Sequence, residues 1–418
     1  METSEPSEPE PNPHPPGHPS ERPALVVGAA TSVQTLVTMC ALVPSAIAPT
    51  LAADLGVGAG AIGYQIAVVY GGAMATSMVG GSVVRRFGAC RVSQAALALC
   101  GAGTGLAIVP WLPALALASV LIGFGYGLTN PASSHLLERF AASRNRNLIY
   151  SIKQTGVPLG GIAAGLMAPT VTVGYGWPWA FAACSALSLV ALAALQFVRR
   201  RWDGDRDRTT VLTRSPWTDL RLVWSDPALR RLSIAAFFFS AVQLCLMSFL
   251  VALLVEDLDF GLVQAGALLG AVQASGAVGR VFWGWLADRV DNGPAVLLGM
   301  SGVSALAALA TTQLSPDVSV AWIVGVVVVF GFTAIGWNGV YLAEVARVSP
   351  RDRIGSATGG SLVFTFAGVL AGPSAFAVAS GASGNFTGAF ALLAIVAIAG
   401  GLTFGSARRK KGAGGGLA

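Results

Sequence analysis

Charge is what this sequence has least of. Only 11% of its 418 residues are Asp, Glu, Lys or Arg, against about a quarter in an ordinary soluble domain, which excludes a water-soluble globule at the outset. Histidine is nearly absent: of three, His14 and His18 lie in the first 23 residues, so no metal site and no hydrolase constellation is expected. Nor is there a G-x-x-x-x-G-K-[ST] loop, so this chain does not hydrolyse a nucleotide to drive itself. With no nucleophile and base in a recognisable set, the sequence does not read as an enzyme, and no cofactor is expected. The five cysteines (Cys40, Cys90, Cys100, Cys184 and Cys245) fall in or beside apolar runs without ligand spacing. They read as small buried hydrophobes rather than as a disulfide framework. Residues 1–23 lack both a basic start and an apolar run. A disordered tail, not a signal peptide, is expected there.

What is present is hydrophobicity. Apolar residues make up 54% of the chain, mean hydropathy is +0.67 and glycine occurs 52 times, a composition suited to helices packed closely in lipid. Apolar stretches long enough to cross a bilayer recur near 24–51, 60–84, 92–110, 112–136, 148–170, 177–198, 232–255, 263–287, 294–313, 319–343, 355–380 and 386–405. The expected fold is therefore an all-α membrane protein of twelve transmembrane helices. The net charge of +6 sits at helix ends, so it marks topology and no nucleic-acid partner is expected. With the tail placed in the cytoplasm, the connections near 52–59, 111, 171–176, 256–262, 314–318 and 381–385 contain no Lys or Arg. The opposite side collects the arginines. The expected protein is a multi-pass component of a bacterial inner membrane with both termini cytoplasmic.

The rhythm breaks once, in the polar, tryptophan-dotted stretch 199–231, read as a linker along the cytoplasmic surface. It divides a bundle at 24–198 from a bundle at 232–405, with a basic tail at 406–418. The two bundles look like parallel repeats. Gly81-x-x-x-Arg85-Arg86 recurs as Gly284-x-x-x-Asp288-Arg289 at an offset of 203, and Gly123, Phe124 and Asn130 recur as Gly331, Phe332 and Asn338 at an offset of 208.

These motifs resemble the major facilitator superfamily, whose G-x-x-x-D-R-x-G loop follows the second and eighth helices. The resemblance implies two six-helix bundles and a cytoplasmic gate latched by Gly81, Arg86, Gly88, Gly284, Asp288 and Arg289. The first copy departs from the pattern with Arg85 where the family has aspartate. The run Gln154-Thr-Gly156-Val-Pro158-Leu-Gly160-Gly161 is similar to the fifth-helix motif of the family and to runs in cyanate-permease-like porters. Arg280-x-x-x-Gly284 resembles the eighth-helix arginine motif of monocarboxylate porters, with Val281 where those have proline. In this fold helices 3, 6, 9 and 12 stand outside and the other eight line a cavity.

Arg280 is the leading substrate ligand, because an intramembrane guanidinium faces a partner or a wet cavity and its fork suits a carboxylate; the alternative is that it pairs only with carbonyls or Glu344 to close the cytoplasmic side. Gln273, seven residues earlier, shares its helical face. Lys153 is read as a second cation over the same cavity, or as a lysine snorkelling to the surface. Gln154, the pseudo-equivalent Asn130 and Asn338, and Tyr341, Gln34 and Tyr70 complete the expected lining. Glu138 and Glu344 are expected in gate salt bridges. No Asp or Glu lies mid-membrane in helices 1, 2, 4, 5, 7, 8 or 11, which disfavours an exporter of cationic drugs. The expected function is secondary transport of a small organic anion, monocarboxylate or cyanate-like, with a proton as coupling ion, by a monomer. Efflux of a lipophilic compound and a non-transporting receptor of the same fold are the alternatives.

Overall fold

The computed structural model describes residues 23–57, 59–141, 145–210 and 217–405. The expected tails, apart from Pro23, lie outside these residues, as do Arg144 and residues 211–216 of the linker. All regular secondary structure among the described residues is helical. Its spans are α1 (Pro23–Ala46), α2 (Ala59–Phe87), α3 (Ala89–Leu106), α4 (Leu112–Phe140), α5 (Arg146–Tyr175), α6 (Trp177–Leu195), α7 (Pro227–Asp257), α8 (Leu262–Val290), α9 (Gly293–Thr311), α10 (Val320–Val348), α11 (Ile354–Ser383) and α12 (Phe386–Gly405). Eleven of them are long and apolar enough to cross a bilayer. The twelfth, α3, has 18 residues, about 27 Å of helix, and is more polar because it carries Arg91, Ser93, Gln94 and Thr104.

Helix ends are set by local chemistry. Asp226 caps α7, accepting from the backbone N–H groups of Ala228 (2.7 Å) and Leu229 (3.0 Å), with Pro227 in the first turn where its missing donor is not needed. Asn292 caps α9 through Ala295 N–H (3.1 Å). Between α2 and α3 the chain turns at Gly88, whose φ of +94° suits glycine alone.

The duplication seen in the sequence recurs in the packing. Gly123 on α4 lies against the backbone of Val69 on α2, and Gly331 on α10 lies against Val272 on α8. The partners Val69 and Val272 are themselves 203 residues apart, so the same glycine-on-valine contact holds the same helix pair in each half.

Between the halves, close approach occurs at the arginine-rich end. There α2 meets α11 with Gly81 against Ser356 and Ser77 against Gly359, and α8 meets α5 with Gly284 against Ser151. A short helix of the linker, Trp217–Ser225, packs along α11, α7 and α2. Asp203, also in the linker, accepts from the N–H groups of Cys90 (2.7 Å) and Arg91 (3.1 Å) and so caps α3. Asp205 bonds His135 (2.6 Å) and Arg139 (2.5 Å) of α4. The linker is thus tied to the first half before it reaches the second.

Candidate functional site: an arginine at the floor of a central cavity

A cavity of about 300 Å³ lies between the halves, at the small end of the range for ligand pockets. Its walls come from α1, α2, α4, α5, α7, α8, α10 and α11; none of its described lining comes from α3, α6, α9 or α12. Arg280 is the one charged side chain in that lining. Polar groups are supplied by Asn130, Gln154, Gln243, Gln273, Asn338 and Thr365, and one wall is aromatic. There Tyr70, Tyr126 and Phe366 form a mutual cluster with centroids 5.6–6.3 Å apart, a spacing at which ring pairs attract beyond their area.

The position of Arg280 follows from a proline. The carbonyl of Gln154 would ordinarily accept from the N–H four residues on, but that residue is Pro158 and has none. Arg280 Nη1 donates to this freed carbonyl at 2.7 Å, bridging the second half to the first. The side chain is 1% exposed, and its Nε has no partner among the described residues. One donor therefore holds the guanidinium in place while others remain for a ligand, a fork suited to a carboxylate.

Three of the expected contact residues do not reach the cavity. Lys153 neither snorkels nor lines it: the residue is 1% exposed, and its Nζ lies within hydrogen-bond distance of Asn130 Oδ1 (2.6 Å), Gln34 Oε1 (2.9 Å) and Gln154 Oε1 (3.2 Å). Gln34 is drawn behind the wall by this bond and by Thr129, whose hydroxyl donates to it at 3.3 Å. Tyr341 lies one helical turn beyond the cavity, its ring against Trp337 with centroids 5.3 Å apart. Its hydroxyl has no partner among the described residues. Tyr70, Asn130, Gln154, Gln273, Arg280 and Asn338 do line the cavity. Gln154 joins them: its amide accepts from Lys153, and its Nε2 donates to Asn338 Oδ1. The pseudo-equivalent asparagines thus sit at the two ends of one polar chain crossing the interface.

Sequence reading did not single out Tyr126, Ser240, Met247, Ser248, Trp337 or Thr365. On α7 a signal existed, since Ser240, Gln243, Leu244, Met247 and Ser248 recur at helical spacing along one face. Trp337 is anchored by its own indole, which donates to Gln243 Oε1 at 2.9 Å.

At the arginine-rich end, Asp288 accepts from the N–H groups of Asn147 (3.0 Å) and Leu148 (2.8 Å), capping α5 from the opposite half. Its counterpart Arg85 approaches Asp352, ahead of α11, at 3.9 Å. Arg86 donates to the carbonyl of Thr210 at 2.9 Å, so it holds the linker and not the other half. Arg289 is exposed, and no gate contact of its side chain is found among the described residues. Glu138 pairs with Arg146 at 2.7 Å and Glu344 with Arg347 on the same helix. Each bridge lies within a single half. A Cβ on Gly88 would meet the Asp203 carboxylate, so Gly88 serves the linker as Arg86 does.

Twelve helical spans around a central polar cavity, shut at one end by matching inter-helix contacts, define a membrane carrier. The chain belongs to the Major Facilitator Superfamily, whose profile matches residues 30–373. It is 27% identical over 285 residues to monocarboxylate transporter 13 of Rattus norvegicus, covering 67% of this chain and 64% of that one. It is 30% identical over 231 residues to the multidrug efflux pump Tap of Mycobacterium tuberculosis, covering 52% and 55%. The chain spans about half the length of the curated relatives it matches, from 40% to 64%. In three dimensions it resembles the human organic anion transporter MFSD10, with a TM-score of 0.75 at 15% identity over 92% of this chain and 100% of that one. That likeness concerns the fold.

Proposed function

We propose that this transporter carries a small organic anion, monocarboxylate or cyanate-sized, by alternating access with proton coupling. The observation that carries the reading is Arg280: one guanidinium at the cavity floor, with spare donors and no carboxylate among the described lining residues. An unneutralised cation there favours a ligand that brings its own negative charge. Gln273, Gln154, Asn130 and Asn338 would orient the remainder of the substrate, with Tyr70 against its apolar part. Lys153 acts from behind the wall. The two bundles, 24–198 and 232–405, would rock about this site, with the arginine-rich gate facing the cytoplasm of a bacterial cell and both termini on that side. The relatives named for anions and monocarboxylates support this reading.

A second reading, efflux of a lipophilic compound, is favoured by the aromatic wall of Tyr70, Tyr126 and Phe366 and by the likeness to an efflux pump. Proteoliposomes separate the two. Under an imposed pH gradient, uptake of radiolabelled monocarboxylates is expected in the wild type and lost in Arg280→Ala, with the variant protein still monodisperse after extraction. Normal anion flux in Arg280→Ala, together with accumulation of apolar dyes in cells lacking the protein, would decide for efflux.

A further inference from the structure

Two cations are buried side by side here with no acid to balance them. Lys153 and Arg280 share one residue, Gln154: Lys153 Nζ bonds its side-chain oxygen at 3.2 Å and the guanidinium donates to its main-chain oxygen at 2.7 Å. Every element packed against Lys153 presents a neutral or a positive group. α1 supplies Gln34, α4 supplies Asn130, α5 itself Gln154, and α8 Arg280, while α10 adds Asn338 one side chain further out. The nearer titratable groups on these helices are Tyr126 in the cavity wall and Tyr150, whose hydroxyl donates to Ser134 O at 3.1 Å, together with Tyr341 beyond Trp337; Cys40 lies on α1, Tyr175 at the far end of α5, and His135, Arg139, Arg146, Arg289 and Arg347 toward the gate. The carboxylates of Glu138, Asp288 and Glu344 stand at the gate, engaged with Arg146, the start of α5 and Arg347.

Two like charges in a low-dielectric interior strongly disfavour each other, and a buried charge without a counter-ion is resolved by neutralising one group. A guanidinium cannot give up its proton in a protein, whereas a buried lysine can. The relief must therefore come from Lys153. The cage allows it, since Gln34 and Asn130 each offer an amide that can turn its N–H₂ toward an amine lone pair.

We propose that Lys153 is the proton-carrying group of the transport cycle: a neutral amine while the cavity is empty, and an ammonium once an anion rests on Arg280. This deepens the anion reading and rests on it. The anion cancels the charge that kept Lys153 neutral. The amine lone pair then takes a proton from a hydronium ion of the cavity water that reaches it between Asn130 and Gln154; one N–H bond forms as the hydronium O–H bond breaks to leave water, with no change of oxidation state. By reciprocity, protonating Lys153 tightens the anion site by the same factor. Release on the far side returns both, so one proton travels with one monoanion and no net charge moves. This places the coupling in a helix that carries no carboxylate at all.

The test needs no known substrate, because the chain has only three lysines, Lys153, Lys410 and Lys411. The full chain labelled with [13Cε, 15Nζ]lysine and placed in lipid nanodiscs gives three signals, and Lys153→Met assigns one of them. In the empty protein at neutral pH, the Lys153 signal is expected to report a neutral amine while Lys410 and Lys411 report ammonium. Arg280→Ala, which removes the neighbouring charge, should return Lys153 to ammonium without any ligand. Formate, acetate, pyruvate and benzoate are then added to the wild type in turn at millimolar concentration. At least one should recharge Lys153 and withdraw about one proton per protein from a weakly buffered solution. A charged Lys153 in the empty wild type overturns the proposal and leaves the anion reading standing, as does failure of every anion to recharge it. Anion flux that survives Arg280→Ala overturns the anion reading itself, whatever charge Lys153 carries.

Discussion

The crossing of α5 with α8 and the crossing of α2 with α11 are built from matching positions, yet they do different work. Gly284 against Ser151 in one corresponds to Gly81 against Ser356 in the other, at offsets of 203 and 205. One helical turn deeper, Arg280 on the carbonyl of Gln154 corresponds to the carbonyl of Ser77 against Gly359. One turn further out, Asp288 on the start of α5 corresponds to Arg85 near Asp352 at the start of α11. The glycine contacts are common to both because closure is a steric requirement on each side of the gate. The charges are not. The α2–α11 crossing closes on small residues and one long, exposed ion pair, while the α5–α8 crossing carries the cation that lines the cavity and the carboxylate that caps the facing helix. Duplication supplied the hinge geometry twice, and chemistry was installed in one copy.

This contrast can be broken by substitutions, taken from the largest expected effect down. Arg280→Ala should lower anion uptake by about a hundredfold or more, since it removes at least two charge-assisted bonds of roughly 1.5–3 kcal/mol each. Initial rates in proteoliposomes decide it, and a fall below tenfold would make the α5–α8 crossing as purely steric as its partner. Gly284→Val should come next. Its side chain meets Ser151 and the carbonyl of Asn147, and overpacking of about 1–3 kcal/mol should open the arginine-rich end. The labelling rate of a single cysteine at Ser356 should then rise roughly tenfold, a clean readout because the five native thiols are buried.

Asp288→Asn and Arg85→Ala form the sharpest pair. The first weakens a cap worth about 0.5–2 kcal/mol, and the second removes an exposed pair of about 0.2–1 kcal/mol. The same labelling assay should rank Asp288→Asn clearly above Arg85→Ala, and equal effects would mean that the reversed charge costs the α2–α11 crossing nothing. The smallest effect lies in the linker. Burial alone would raise the Asp205 carboxyl, but the hydrogen bond from His135 and the charges of His135 and Arg139 outweigh it and hold it below the usual carboxylate range. A lowered value means stability that is present above the ordinary carboxylate pKa of about 3.9 and lost as pH falls through the folded value. Melting temperatures between pH 5 and pH 3 should fall less steeply in Asp205→Asn than in the wild type.

The spans, the glycine positions and the placement of Arg280 were legible in the sequence, because length, charge asymmetry and repeat offset are properties of the chain itself. The capping role of Asp288 was legible too, since an acid at that turn has a helix start to find. Rotation of each helix about its axis was not. These spans are apolar nearly all round, so polarity does not say which face meets the cavity, and packing decides it. That is why Tyr341 was expected inside while Tyr126, with the same ring, was overlooked. Lys153 shows a different gap. Its three amide oxygens come from residues 34, 130 and 154 on three helices, a convergence that no local spacing announces. The linker's carboxylates escaped notice for the same reason, because Asp203 serves a helix more than a hundred residues earlier.

The bond between Arg280 and the main chain at position 154 has a consequence for how this carrier can vary. An anchor made of peptide oxygen is indifferent to whichever side chain occupies its residue, so drift at position 154 leaves the guanidinium seated. A change at Pro158, four residues away, would hand the oxygen back to its own helix and cast Arg280 loose. The cavity-facing side chain at 154 and the seat of the guanidinium can therefore vary separately, so the lining of the fifth helix can change without dislodging Arg280.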